Sequence, residues 1–228
     1  MDYIGGGRIL DIACGTGYGI SIMSGSADFV VGIDIDIEAV RTAAAETGEN
    51  SAVMIANGLG LPFADGTFDV ITSFETLEHL HRRRDFLREL GRVLRPGGRL
   101  LLSTPNANYS QPVNGVPKNP FHVHEYTPEE LVSELDGFFT IDSFLGQSLD
   151  SSAGIPPFYD AQQRLPKDAA TQIRLLGWKI FNKIPFGIRE TLSDAIRKKP
   201  FYPTESDYNF DEDTVSSAPT LLAVCSKR

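Results

Sequence analysis

The sequence predicts an α/β fold built on a doubly wound parallel sheet. Three observations carry that prediction. Short aliphatic runs alternate with helical patterns across residues 8–145, as repeated β-α units require. The first run ends in a glycine-rich turn, and sheets of this kind bind ligands at the carboxyl ends of their strands. An amphipathic stretch, Arg82–Leu94, halts at Pro96-Gly97-Gly98 and is followed by another aliphatic run.

In chain order, Arg8–Ala13, Phe29–Ile33, Ser51–Ile55, Phe68–Phe74 and Arg99–Thr104 read as strands one to five. Asp36–Thr47 is Ala-rich and helical, with Asp36 placed to cap it. Phe86, Leu87, Leu90, Val93 and Leu94 share one side of the Arg82–Leu94 helix. Four prolines make 105–124 loop-like, and Thr127-Pro128-Glu129-Glu130 opens a further helix. Phe138–Leu145 and Pro219–Cys225 complete seven strands. Residues 148–218 break the alternation, with Glu205–Asp213 acidic and loop-like. The expected organisation is a core of 1–147, a helical insertion over 148–218, and a final core strand at 219–228.

With 228 residues the chain is long enough to bury a core without staples. The net charge of −9 argues against a protein that coats nucleic acid. Charge is unevenly spread: 164–199 holds nine Lys/Arg against three Asp/Glu, net +6, which leaves −15 elsewhere. The two cysteines, Cys14 and Cys225, lie far apart, and Cys14 sits in the glycine turn. This suggests reduced thiols and a cytoplasmic location. No apolar run is long enough to span a membrane, and no leader pattern is visible.

The sharpest motif is Ile9-Leu10-Asp11-Ile12-Ala13-Cys14-Gly15-Thr16-Gly17-Tyr18-Gly19. Gly15 and Gly17 permit a tight turn and close approach to a ligand, and the next helix start offers free N–H groups. Asp34, seventeen residues after Gly17, is placed to accept both hydroxyl protons of a ribose. The dinucleotide fingerprint is broken, because Ile20 stands where its third glycine belongs. A plain strand-to-helix turn is the other reading of the glycines alone.

The order of motifs resembles the class I S-adenosylmethionine-dependent methyltransferases, in the group related to ubiquinone-pathway enzymes. The matching residues are Leu10–Gly17, Val31-Gly32-Ile33-Asp34, Leu61-Pro62-Phe63, Thr67-Phe68-Asp69-Val70, Arg92–Gly98 and Ser103-Thr104-Pro105-Asn106. The resemblance covers about residues 8–145, with Ala13 standing where many members carry glycine. It implies a Rossmann-like class I sheet of seven strands, the last antiparallel, and S-adenosylmethionine as cofactor. It places Asp11, Cys14, Gly15, Thr16 and Gly17 around the methionine part, and Asp34 with Ile35 at the ribose. It further puts Asn57 and Gly58 at the adenine, and Phe74 on the methyl side. Relatives carry a helical segment before strand one, whereas seven residues precede Arg8. The expectation is a longer parent chain or a lid from another segment.

Glu75, Glu78 and His79 follow strand four at i, i+3 and i+4, which on a helix share one face. The pattern resembles the E-x-x-E-H motif of metal-dependent O-methyltransferases that act on catechols or on the terminal ribose of small RNAs. His122, three residues before Glu125-Tyr126-Thr127, matches the added histidine of the RNA enzymes, with His124 the alternative. The resemblance implies a Mg²⁺ or Mn²⁺ site of Glu75, Glu78, His79 and His122. A bound cation would lower the pKa of two adjacent hydroxyls. Two other readings stand. Acids in a first helical turn stabilise the macrodipole, and His79 or His122 can serve as general base. Glu75, His79 and His122 are the candidate catalytic residues, and His81 reads as solvent-facing.

The stretch from Asn119-Pro120-Phe121-His122 to Gly146-Gln147 resembles methyltransferases of polysaccharide and glycolipid biosynthesis. The leading expectation is therefore a transferase acting on a sugar or glycan hydroxyl. A phenolic or catechol acceptor is the alternative, followed by RNA and by a non-catalytic cofactor-binding relative. The basic segment 164–199, with Trp178, Lys179 and Lys183, reads either as a solvated amphipathic pair or as a substrate cap with peripheral membrane contact.

Overall fold

The computed structural model describes residues 3–45, 47–149 and 208–228. Two compact units emerge: 1–147 with 210–228, and 148–209. The site built below lies wholly in the first. The basic segment 164–199, with Trp178, Lys179 and Lys183, lies outside the described residues.

An eight-stranded sheet runs in the order β3-β2-β1-β4-β5-β8-β6-β7. Its strands are β1 (Arg8–Ile12), β2 (Phe29–Asp34), β3 (Ser51–Ile55), β4 (Phe68–Phe74), β5 (Leu94–Pro105), β6 (Phe139–Leu149), β7 (Tyr208–Asp211) and β8 (Thr220–Lys227). Neighbours among β1–β5 pair in parallel. The final strand inserts antiparallel between β5 and β6. The chain thus has the expected Rossmann-like α/β topology, with one strand more than the seven expected. That strand, β7, arises where Tyr208 and Phe210 alternate with polar residues in a stretch read as loop. All four of its residues are exposed, as suits a short terminal strand. Residues 148 and 149 also extend β6. Both described ends of the expected helical insertion are therefore strand or turn.

The helices are α1 (Tyr18–Met23), α2 (Ile37–Ala44), α3 (Arg83–Val93), α4 (Ala107–Ser110) and α5 (Pro128–Asp136). Asp36 caps α2 by accepting from Glu38 and Ala39 N–H. Thr127 and Glu130 form a reciprocal capping box on α5, with Pro128 in its first turn. On α3 the buried face is Phe86, Leu87, Leu90 and Val93. Leu94 instead opens β5, where Phe68 pairs with Leu94 and Val70 with Arg99. Residues 95–98 loop out of the ladder between those pairs, with Gly97 at φ 69.

Alternation along β1 divides the core. Leu10 and Ile12 join α3, β5 and β8 on one face. Ile9 joins Ile20 and Met23 of α1 on the other. The same period points Asp11 towards α1, which places a carboxylate under the glycine turn. Among the described residues no helix is long and apolar enough to cross a membrane.

Candidate functional site

The parallel strands end on one edge, and two groups of polar residues gather there. The first surrounds the glycine turn. Thr72 on β4 donates to Asp11 Oδ1 at 2.7 Å. A side chain on Gly19 would come within 3.0 Å of Asp11 Oδ2, so the carboxylate lies tight against α1. Burial, opposed by the Thr72 bond and reinforced by Asp34, pushes the Asp11 carboxyl up to about 6.

Asp34 organises the turn itself. Its Oδ2 accepts Gly15 N–H and its Oδ1 accepts Asp36 N–H, both at 2.9 Å. Each oxygen keeps a further lone pair. Ala13, the departure from the glycine common in relatives, holds φ 57, a conformation glycine adopts without strain. Gly17 (φ 90) packs under Ala43, while Gly15 (φ 54) faces open space. Cys14 is buried, and desolvation, with Asp11 and Asp34 adding to it, pushes its thiol up to about 12.

Thr16 and Ile35 are exposed beside the turn. Asn57 is exposed, with Oδ1 accepting Leu59 N–H at 3.0 Å. The amide oxygen assigned to adenine therefore already closes a local turn. Gly58 backs onto Phe86, which a Cβ would meet at 2.7 Å. Phe74 stands half-exposed at the end of β4.

The second group follows β4. The expected shared helix face is absent. Glu75 takes φ 49, turning the chain sharply, and only Leu77–His79 form a single 3-10 turn. Glu75 N–H bonds the Ser103 carbonyl, and Ser103 Oγ donates to Glu75 Oε1 at 2.9 Å. Glu78 is wholly buried. Thr104 donates to its Oε2 at 2.8 Å, while its Oε1 has no hydrogen-bond partner among the described residues. His79 Nδ1 lies 2.9 Å from the Phe121 carbonyl, and its Nε2 is 3.7 Å from Glu78 Oε1. A carbonyl only accepts, so Nδ1 carries a proton, and in the neutral ring Nε2 holds the lone pair.

Donor atoms of Glu78, His79 and His122 lie within 4.8 Å of one another. The sequence therefore names three members of this cluster, but Glu75 is held aside by Ser103. His124 is not among them. It faces Glu130 at 3.7 Å and stacks edge-on against Tyr126. His81 is exposed. Burial first, then the negative charge of Glu78, raises the Glu75 carboxyl. Burial also raises Glu78. Glu78 is fully enclosed, whereas Glu75 keeps solvent contact.

Three partners escape sequence reasoning. Asn119 and Glu125 each bond one nitrogen of the His122 ring, and Ser110 donates to Glu125. The only hint is the three-residue spacing of His122 from both Asn119 and Glu125. The segment carrying them hangs on the 3-10 turn, since Val123 and His124 N–H both reach the Glu78 carbonyl.

Comparison with known proteins bears on the domain and its fold. Residues 10–102 match the family model described as a methyltransferase domain. The chain is 39% identical over 127 residues to a probable S-adenosylmethionine-dependent methyltransferase of Mycobacterium tuberculosis (strain ATCC 25618 / H37Rv), covering 56% of this chain and 46% of that one. It is 36% identical over 113 residues to a demethylmenaquinone methyltransferase of Corynebacterium urealyticum, covering 50% and 46%. The chain thus spans about half the length of these curated relatives. Among solved structures, an S-adenosylmethionine-dependent methyltransferase from Mesorhizobium loti aligns at TM-score 0.60 and 17% identity over 100% of this chain and 94% of that one. One from Methanosarcina mazei aligns at 0.54 and 26% over 66% and 89%. Residues 10–102 are therefore similar to a methyltransferase domain, and the fold is the one shared by solved S-adenosylmethionine-dependent methyltransferases.

Proposed function

We propose that the protein is an S-adenosylmethionine-dependent O-methyltransferase whose acceptor is a sugar or glycan hydroxyl with a second hydroxyl beside it. The observation that carries the reading is His79. Its Nδ1–H is tied to a backbone carbonyl, which leaves Nε2 open next to buried Glu78. The cofactor, when bound, supplies an electrophilic methyl on a sulfonium. Asp11, Gly15, Gly17 and Asp34 would hold it, with Phe74 beside the methyl. His79 Nε2 takes the acceptor proton as the oxygen attacks, so that a neutral alcohol does not have to displace the sulfide unaided. Positioning supplies much of the remaining rate.

A divalent cation suits the same donors and would replace His79 as the activating group, since a coordinated Nε2 has no lone pair left for a proton. Glu78 Oε1 is a buried carboxylate oxygen lacking a partner among the described residues, and His79 and His122 add imidazole. Mixed oxygen and nitrogen donors accommodate Mn²⁺ as well as Mg²⁺. A cation there would acidify the paired hydroxyls.

Exposed Phe74 and Phe121 beside the cluster favour a second acceptor class, a flat phenol or catechol. The demethylmenaquinone relative points the same way. The test is methyl transfer from labelled cofactor to methyl glycosides and to catechols, each with Mn²⁺ or with a chelator. Glycoside methylation supports the first reading. Catechol methylation alone replaces it with the second.

A further inference from the structure

Each ring nitrogen of His122 has a polar partner whose chemistry decides where the proton sits. Phe121 N–H donates to Asn119 Oδ1 at 3.1 Å. The other end of that side chain, facing His122 Nε2 at 2.8 Å, is therefore the NH₂ group. An amide NH₂ only donates, so Nε2 holds a lone pair and the proton belongs on Nδ1. Nδ1 lies 2.7 Å from Glu125 Oε1, an acceptor. Ser110 Oγ donates to the opposite oxygen, Glu125 Oε2. The bonds run in one consistent direction and are anchored by a backbone N–H. Glu125 and Ser110 are both buried.

We infer that Glu125, braced by Ser110, is a positioning residue that locks His122 as the Nδ1–H tautomer and so keeps its Nε2 lone pair for the acceptor site. The inference rests on the O-methyl transfer reading for its purpose, though not for its geometry. It makes the two histidines equivalent in kind. His79 gives its Nδ1 proton to a carbonyl and His122 gives its own to a carboxylate, and each is left with Nε2 as the working atom. A carboxylate or carbonyl behind an imidazole raises the basicity of the far nitrogen and fixes the ring. The Asn119 amide covers the His122 lone pair until a hydroxyl proton or a cation takes its place. His122 then reads the second of the two adjacent acceptor hydroxyls while His79 serves the first.

The experiment is nitrogen-15 NMR on the labelled protein without added metal or cofactor, using two-bond ring correlations to assign the His122 tautomer. It is paired with steady-state kinetics on the acceptor found above. The wild type is expected to show a protonated Nδ1 and an unprotonated Nε2. Glu125→Ala is expected to release the ring into a mixture containing the Nε2–H form and to lower kcat about 10–100-fold. Affinity for S-adenosylhomocysteine should stay within about twofold, as Glu125 has no part in the glycine turn. Glu125→Gln, whose amide oxygen still accepts, should restore the Nδ1–H form and most of kcat. Ser110→Ala should fall between. A wild-type His122 protonated on Nε2 overturns the inference even if Glu125→Ala fails to fold. So does a Glu125→Ala protein whose tautomer and kcat match wild type. A wild type inert towards every hydroxyl acceptor overturns the O-methyl transfer reading instead, and the tautomer assignment still decides this one.

Discussion

Asp11 couples the stability of the domain to its chemistry. Buried against α1, its carboxyl is raised to about 6 from an ordinary value of 3.8. An acid raised in the folded state holds its proton to higher pH than the unfolded chain does. Its stabilising contribution is complete below about pH 4 and is lost as pH climbs to about 6, a difference of about 3 kcal/mol for two pKa units. Urea unfolding of the ligand-free protein should therefore show stability falling across that interval. Asp11→Asn, which keeps an oxygen for Thr72, should flatten the fall. What slope remains near pH 7 belongs to Glu75 and Glu78, raised in the same sense. His79 calls for a different test, because its side chain is 41% exposed. His79→Ala should cut methyl transfer by about 10²–10⁴-fold. Binding of S-adenosylhomocysteine by calorimetry should be unchanged. Equal loss of both would make His79 part of the cofactor pocket instead.

The turn after β1 shows how an element divides two jobs between similar residues. Gly17 sits at φ 90 with Ala43 Cβ only 2.9 Å from where its own Cβ would be, so alanine there meets both strain and a clash. Gly15, at φ 54, would place a Cβ in open space. Backbone strain at a left-handed position costs about 1–2 kcal/mol. Gly17→Ala should exceed that figure in chemical denaturation, through the added overlap with α2. Gly15→Ala should stay within it, yet lose most of its affinity for S-adenosylhomocysteine, since its methyl fills the space left for the ligand. Both glycines were legible in the sequence, because a strand running into Gly-x-Gly allows few backbone paths. The capping of α2 and α5 was legible for the same local reason. The Glu75-Thr76-Leu77-Glu78-His79 run was legible in composition but not in shape. A three-and-four spacing looks helical, and the left-handed Glu75 that prevents a helix is held by Ser103, 28 residues away. The partners of His122 were hidden for a similar reason. Asn119 and Glu125 are neighbours in sequence, but Ser110 meets Glu125 only because the long loop after β5 folds back.

Across the molecule, five parallel strands bring Asp11, Asp34, Phe74 and Thr104 to a single edge, and sequence periodicity foretold that convergence because buried parallel strands are continuous aliphatic runs. The strand β7 was not foretold, since an exposed four-residue strand leaves no such signature. A ligand on this edge must tie together elements far apart in the chain, with Asp34 as the tie. Its carboxylate joins the glycine turn to the start of α2 and faces the expected ribose. Binding to the folded state alone adds RT ln(1 + [L]/Kd). S-adenosylhomocysteine at one hundred times its Kd should thus raise stability by about 2.7 kcal/mol, a Tm increase of about 5–10 °C for a chain of this size. Differential scanning calorimetry should show the increase in the wild type and in His79→Ala alike. In Asp34→Ala at the same ligand concentration it should largely vanish, because that variant loses the ribose acceptor and the Gly15 N–H bond together. A full shift retained in Asp34→Ala would mean that the ligand is held elsewhere on the sheet, and the assignment of this edge would have to be given up.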